Sequence, residues 1–163
     1  MDSLMFLAGF IGVHSIWSVS DDETLVPIFA TNSANADRKL TRYASEMVED
    51  GLANARVALE QNAERAAEGV LAYDGHITLP CGKTDAIFLE IRNYRKDNQT
   101  LFMAIPYRHA SSADGFAVHR PKFLGFDETE EPDCEGLAKD FFRGVDSHSE
   151  ASKVWEAHRE DSI

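Results

Sequence analysis

"YDGHITLPCGKTDAIFLEIR", residues 73–92, decides how this chain is read. Apolar and polar side chains alternate on both sides of a turn-forming centre, "PCGKT". A period of two marks a strand with one wet face. Two such segments joined by a short polar link read as a β-hairpin. The alternation continues downstream. Strands are predicted at 70–79, 85–94, 100–109 and 116–126, joined by "PCGKT", "RKDNQ" and "ASSADG". Links this short between neighbours imply an antiparallel meander.

Upstream, "HSIWSVSDDETLVPIFA" (residues 14–30) sets two apolar runs around Asp21-Asp22-Glu23, which predicts another hairpin. Pro27 cannot donate to a ladder, so its strand belongs at an edge or a bulge. The apolar run 4–13, "LMFLAGFIGV", reads as a buried strand and its lead-in. It is about half the ~20 residues a membrane span needs. No basic region precedes it, as a secretory signal would require. These features place the chain in the cytoplasm, away from membranes. From Asn35 or Asp37 to Glu68, apolar residues recur at helical spacing, with Leu40, Met47, Leu52, Ala55 and Leu59 on one stripe. This predicts one long helix, or a helix broken near Gly51 or near Gln61-Asn62. After Phe126 comes an acidic loop, 127–135, and then two short helices near 136–143 and 150–159.

The expected fold is therefore α+β: an antiparallel sheet of about six strands in the order ββ-α-ββββ-αα, with one long or broken helix on the sheet. A length of 163 residues suits a single domain spanning 1–163, its C-terminal helices forming a tail. By order of elements this is similar to longin- and profilin-like folds.

The net charge of -12 argues against sequence-independent nucleic-acid binding, which needs many cationic contacts to phosphate. The charge is uneven. Residues 127–163 carry 12 acids and 4 bases, a net of -8, whereas 70–126 carry 5 acids and 7 bases, a net of +2. The acidic tail suits a basic protein partner or a basic patch on this same chain. Cys81 and Cys134 have no metal-ligand spacing and read as free thiols. No cofactor or metal motif is present. "CGKT" resembles the end of a phosphate-binding loop but lacks its first glycine and leads into a strand.

If each link pairs its strands symmetrically, Leu79 faces Asp85 and Asp74 faces Glu90. One face is then the apolar layer Ile87, Leu89, Ile91, Leu101, Met103, Ile105 and Tyr107. The other gathers Asp74, His76, Phe88, Glu90, Arg92 and Phe102, joined by Arg120 and Lys122 if the last turn keeps parity. Asp74 followed by Glu90-x-Arg92 resembles the acid-then-Glu-x-Lys pattern of restriction-endonuclease-like nucleases. That resemblance implies Asp74 and Glu90 as magnesium ligands, with Arg92 where the family has lysine. Arginine stays protonated and cannot serve as a base. The competing account is a mixed wet face, with Arg92 offsetting the repulsion of two acids. The apolar residues of the C-terminal helices, Phe141, Phe142 and Trp155, need burial, so these helices are expected to cover this face. The leading expectation is a non-catalytic binding or accessory protein that meets a protein partner through the sheet face or the acidic tail. The alternative is a metal-dependent nuclease-like enzyme.

Overall fold

The computed structural model describes residues 2–96, 98–127 and 132–163. Part of the acidic loop, residues 128–131, lies outside them. Eleven elements follow in order: α1 (Asp2–Val19), β1 (Ile28–Asn32), β2 (Arg38–Arg42), α2 (Val48–Gln61), β3 (Glu68–Leu79), β4 (Gly82–Asn93), β5 (Gln99–Arg108), β6 (Ala117–Val118), β7 (Lys122–Phe126), α3 (Cys134–Ser147) and α4 (Ser149–His158). The fold is α+β. Its antiparallel sheet runs β2-β1-β3-β4-β5-β6, and β7 also pairs with β5. Among the described residues no helix is long and apolar enough to cross a membrane.

The N-terminal run is a helix, not a strand. The expected hairpin around Asp21-Asp22 is the end of α1 and a loop leading to β1. The reason is burial on nearly every side. The sheet, α3 and α4 enclose α1 so closely that, among its residues of described burial, only Ser3, Phe6, Phe10, His14, Trp17 and Ser18 are not fully buried. A helix wrapped this way has no polar face to display a helical period. Two of its serines are satisfied locally. Ser15 Oγ donates to the Ile11 carbonyl at 2.8 Å and Ser18 Oγ to that of His14 at 3.0 Å.

The long helix is also corrected. Its first part is β2, which pairs antiparallel with β1. The remainder is α2, which ends at Gln61 with Asn62 in the left-handed region. Gly51 lies inside α2, against the Tyr43 carbonyl, and breaks nothing.

Two cores result. The large one holds α1, α3, α4 and the sheet face bearing Ile87, Leu89, Ile91, Leu101, Met103, Ile105 and Tyr107, the layer expected from the alternation. The small one lies under α2 on the opposite face, around Phe29, Ala55, Leu59 and Leu71. The C-terminal helices pack against α1, with Phe141, Val145 and Trp155 in the large core. They do not cover the Glu90 face, which lies under α2.

Candidate functional site

The β3–β4 turn has two residues, not five. Leu79 pairs with Gly82, Asp74 with Ile87 and Leu71 with Glu90. Gly82 takes φ +118, open to glycine alone. The expected register is wrong by three residues. Three is odd, so the face of β3 relative to β4 inverts. Asp74 and His76 therefore lie on the α1 side, and Glu90 and Arg92 on the α2 side. The magnesium pair expected from the nuclease resemblance does not form.

The predicted site residues fall into separate groups. Glu90 is buried and accepts two hydrogen bonds from Arg56 of α2, at 3.1 and 2.9 Å, and one from the Tyr73 hydroxyl at 3.1 Å. Arg56 also stacks over the Tyr73 ring at 5.0 Å. Arg92 pairs with Glu60, one turn further along α2. These two pairs fasten α2 to the sheet. Lys122 on β7 stands opposite Ala104, on the α2 side of the sheet. Arg120 sits exposed between β6 and β7 and joins neither group.

Asp74 and His76 belong to a different constellation, at the end of the sheet where β3, β4 and β5 meet. The Tyr107 hydroxyl donates to both oxygens of Asp74, at 2.9 and 3.0 Å. Asp85 contacts His76 Nε2 at 3.0 Å and His109 Nε2 at 3.1 Å, while His109 Nδ1 reaches Asp22 at 3.3 Å. Burial pushes the Asp74 carboxyl above the usual carboxylate range, although the Tyr107 bond pulls it back. Burial, then the Asp74 charge, pushes the Tyr107 phenol far above its ordinary value. These side chains are bonded to one another. Among the described residues no group of three or more His, Cys, Asp or Glu is placed to hold a metal ion.

Beside this chain of acids and histidines opens a cleft of about 470 Å³, lined by Asp85, Tyr107, Arg108, His109, Ser111, Ser112 and His119, among others. Its walls are pinned. Arg108 donates to the carbonyls of Asp114 and Gly115 and pairs with Glu160 at 3.1 Å. The Glu160 N–H donates to the Val118 carbonyl, which ties the C-terminal segment to β6.

His119 is the side chain with spare capacity. It is only 4% exposed. Its Nδ1 lies 3.0 Å from the Glu160 carbonyl. A carbonyl only accepts, so Nδ1 carries a proton and Nε2 is the ring nitrogen left for another partner. Among the described residues Nε2 has no protein partner. A backbone bond that fixes the tautomer and leaves the other nitrogen free is how proteins orient a histidine toward a ligand.

The alternation assigns Tyr107 to the apolar layer, Asp85 to a strand and Asp22 to a turn, and none of these to a site; no sequence pattern singles out His109 or His119. A two-residue turn at Pro80-Cys81, counted out from Gly82, puts Asp74, His76, Asp85 and Tyr107 on one face. Asp22 and His109 lie outside the strands and gave no such signal. Comparison with protein-family models, with curated proteins and with solved structures finds no match.

Proposed function

We propose that this chain is a small cytoplasmic binding protein, accessory rather than catalytic, whose ligand sits in the cleft bounded by His109 and His119. The observation that carries this reading is His119: a buried, tautomer-fixed imidazole with an unoccupied nitrogen beside a cavity of ligand size. The ligand class that fits is a small polar molecule with a hydroxyl or amine donor for His119 Nε2. The serines and Arg108 around the cleft supply further polar contacts. The exposed, unpaired thiols of Cys81 and Cys134 suit a reducing cytoplasm.

The test is a fragment screen read by amide and imidazole NMR shifts. Hits should perturb Ser111, Ser112 and the His119 ring, and His119→Gln should abolish them. A screen with no such hits, or with hits gathered elsewhere, would remove the reading. A second reading, engagement of a protein partner through the sheet face, is favoured by Phe102, which is 39% exposed on the strand beside Glu90. Cross-linking that maps a captured partner to Phe102 rather than to the cleft would select it.

A further inference from the structure

The outward stripe of α1 is the wrong chemistry for a solvent face. Its incompletely buried positions from Ser3 to Trp17 recur at intervals of three or four residues, which is one side of a helix. A surface stripe is ordinarily polar. Here it reads Phe6, Phe10, His14, Trp17, with Trp17 40% exposed. It runs about 16 Å at ~1.5 Å per residue.

Arginines line both sides. On the edge strand β2, Arg38 and Arg42 stand opposite Asn32 and Ile28 of β1, so both project on the α1 side of the sheet. The Arg38 guanidinium lies 4.2 Å over the Phe10 ring and 6.0 Å from Phe6. Arg143 of α3 approaches Phe6 from its own element, also at 6.0 Å. Arg42 donates to His14 Nε2 at 3.0 Å. The chain has 28 acids and 16 bases, so unpaired arginines are not the expectation. Yet among the described residues neither Arg38 nor Arg42 makes an ion pair, and Arg143 pairs only with Asp140, three positions back. A cavity of about 430 Å³ opens between Arg38 and Arg143, and its lining among the described residues, completed by Ser3, Phe6, Asn32 and Ala36, includes no acid. The Glu68 carboxylate is buried and taken up by the lining residues Ser3 and Asn32, and the Asp140 carboxylate stays on Arg143.

We infer that this cavity is a second binding site, for the phosphate group of a small organic phosphate. A guanidinium held flat on an aromatic ring keeps its N–H edge free, and that edge matches phosphate in a bidentate fashion. Ser3 places the first turn of α1 at the cavity, where helix N–H groups lack intrahelical partners and attract anions. Phosphate fits these features better than the carboxylates of an acidic peptide do, because one compact anion reaches both arginines and the helix end. The aromatic stripe beyond, ending at the exposed indole of Trp17, gives the organic part a surface to lie on.

Calorimetric titration with inorganic pyrophosphate and with ADP tests this. Saturable binding of either, at about 1 mM or tighter and weakening with salt, is the expected result. Arg38→Gln and Arg143→Gln should each weaken it about tenfold or more, while Lys153→Gln on exposed α4 should not. Arg38→Lys keeps the charge but not the fork and should fall between. Tighter binding of ADP than of pyrophosphate locates the organic part on the stripe. Equal binding confines recognition to the phosphates, and either outcome supports the site. No binding of either compound overturns it, as does binding that survives both glutamine variants. Binding of oligoglutamate alone overturns it in favour of an acidic protein. Because the cavity shares no residue with the His119 cleft, failure of one site leaves the other standing.

Discussion

Replacing Gly9 by alanine should unfold this protein more readily, although alanine is the better helix former. Gly9 sits in the interior of α1, where the exchange alone would gain up to about 1 kcal/mol. The added Cβ, however, would lie 1.9 Å from the carbonyl oxygen of Phe141 on α3. Ordinary contact begins near 3.4 Å, a deficit of 1.5 Å. The reciprocal position is equally tight, since a Cβ on Gly144 would lie 2.0 Å from the Phe6 carbonyl. Both obstacles are backbone, so no rotamer change relieves them, and α1 and α3 must move apart. Overpacking of this kind costs about 1–3 kcal/mol, occasionally more. These two helices carry much of the large core, so we expect the upper end of that cost and, after the propensity gain, a net loss of about 2 kcal/mol, or roughly 4–8 °C in Tm for a chain of this size. The assay is urea denaturation followed by circular dichroism. Asn54→Ala, on the exposed side of α2, should instead hold or gain a few tenths of a kcal/mol. Combining Gly9→Ala with Gly144→Ala should cost less than the sum of the two, because one separation of the helices relieves both clashes. A Gly9→Ala protein as stable as the parent would refute the close crossing of α1 and α3.

Two further predictions follow from the titratable groups the register separates. Glu90→Gln should cost about 1–2 kcal/mol, because three hydrogen bonds lose their charged acceptor while the half-exposed Arg56 recovers part of the loss in water; unchanged urea stability would mean that α2 is not fastened there. Asp74 has a folded pKa raised by burial, so its contribution to stability is fully present below the ordinary carboxylate value and is lost as pH rises through the folded one. Asp74→Asn, which keeps an acceptor for Tyr107, should therefore gain stability over the parent at pH 7, and that gain should vanish in acid; a pH-independent difference in urea midpoints would sink this account.

The two face errors have one source each. Within β4 and β5 the faces were assigned correctly because alternation is a property of a single strand. The β4–β5 pairing is offset from the symmetric estimate by two residues, with Asn93 opposite Gln99. An even offset leaves every side chain on its expected face, so Glu90, Phe88 and Phe102 stayed together. The offset of three at the preceding turn did not, and it moved Asp74 and His76 across the sheet. Nothing in "PCGKT" states how many of its residues are turn and how many are ladder. The groove of arginines was hidden for a different reason: Arg38 and Arg42 were read into a helix, and only their pairing with β1 turns them toward α1.

What the amino-acid sequence determined by itself is whatever depends on neighbours a few positions away. That covers the alternating strands, the oily layer from Ile87 to Tyr107, the C-terminal helices and the α+β class. What only the tertiary structure decided is whatever depends on a distant partner. A helix enclosed on nearly all sides shows no period that distinguishes it from a buried strand, and a hairpin's parity rests on a single glycine in a conformation no other residue favours. The cleft at His119 and the groove along α1 both depend on those two facts, because each is assembled from elements far apart in the chain.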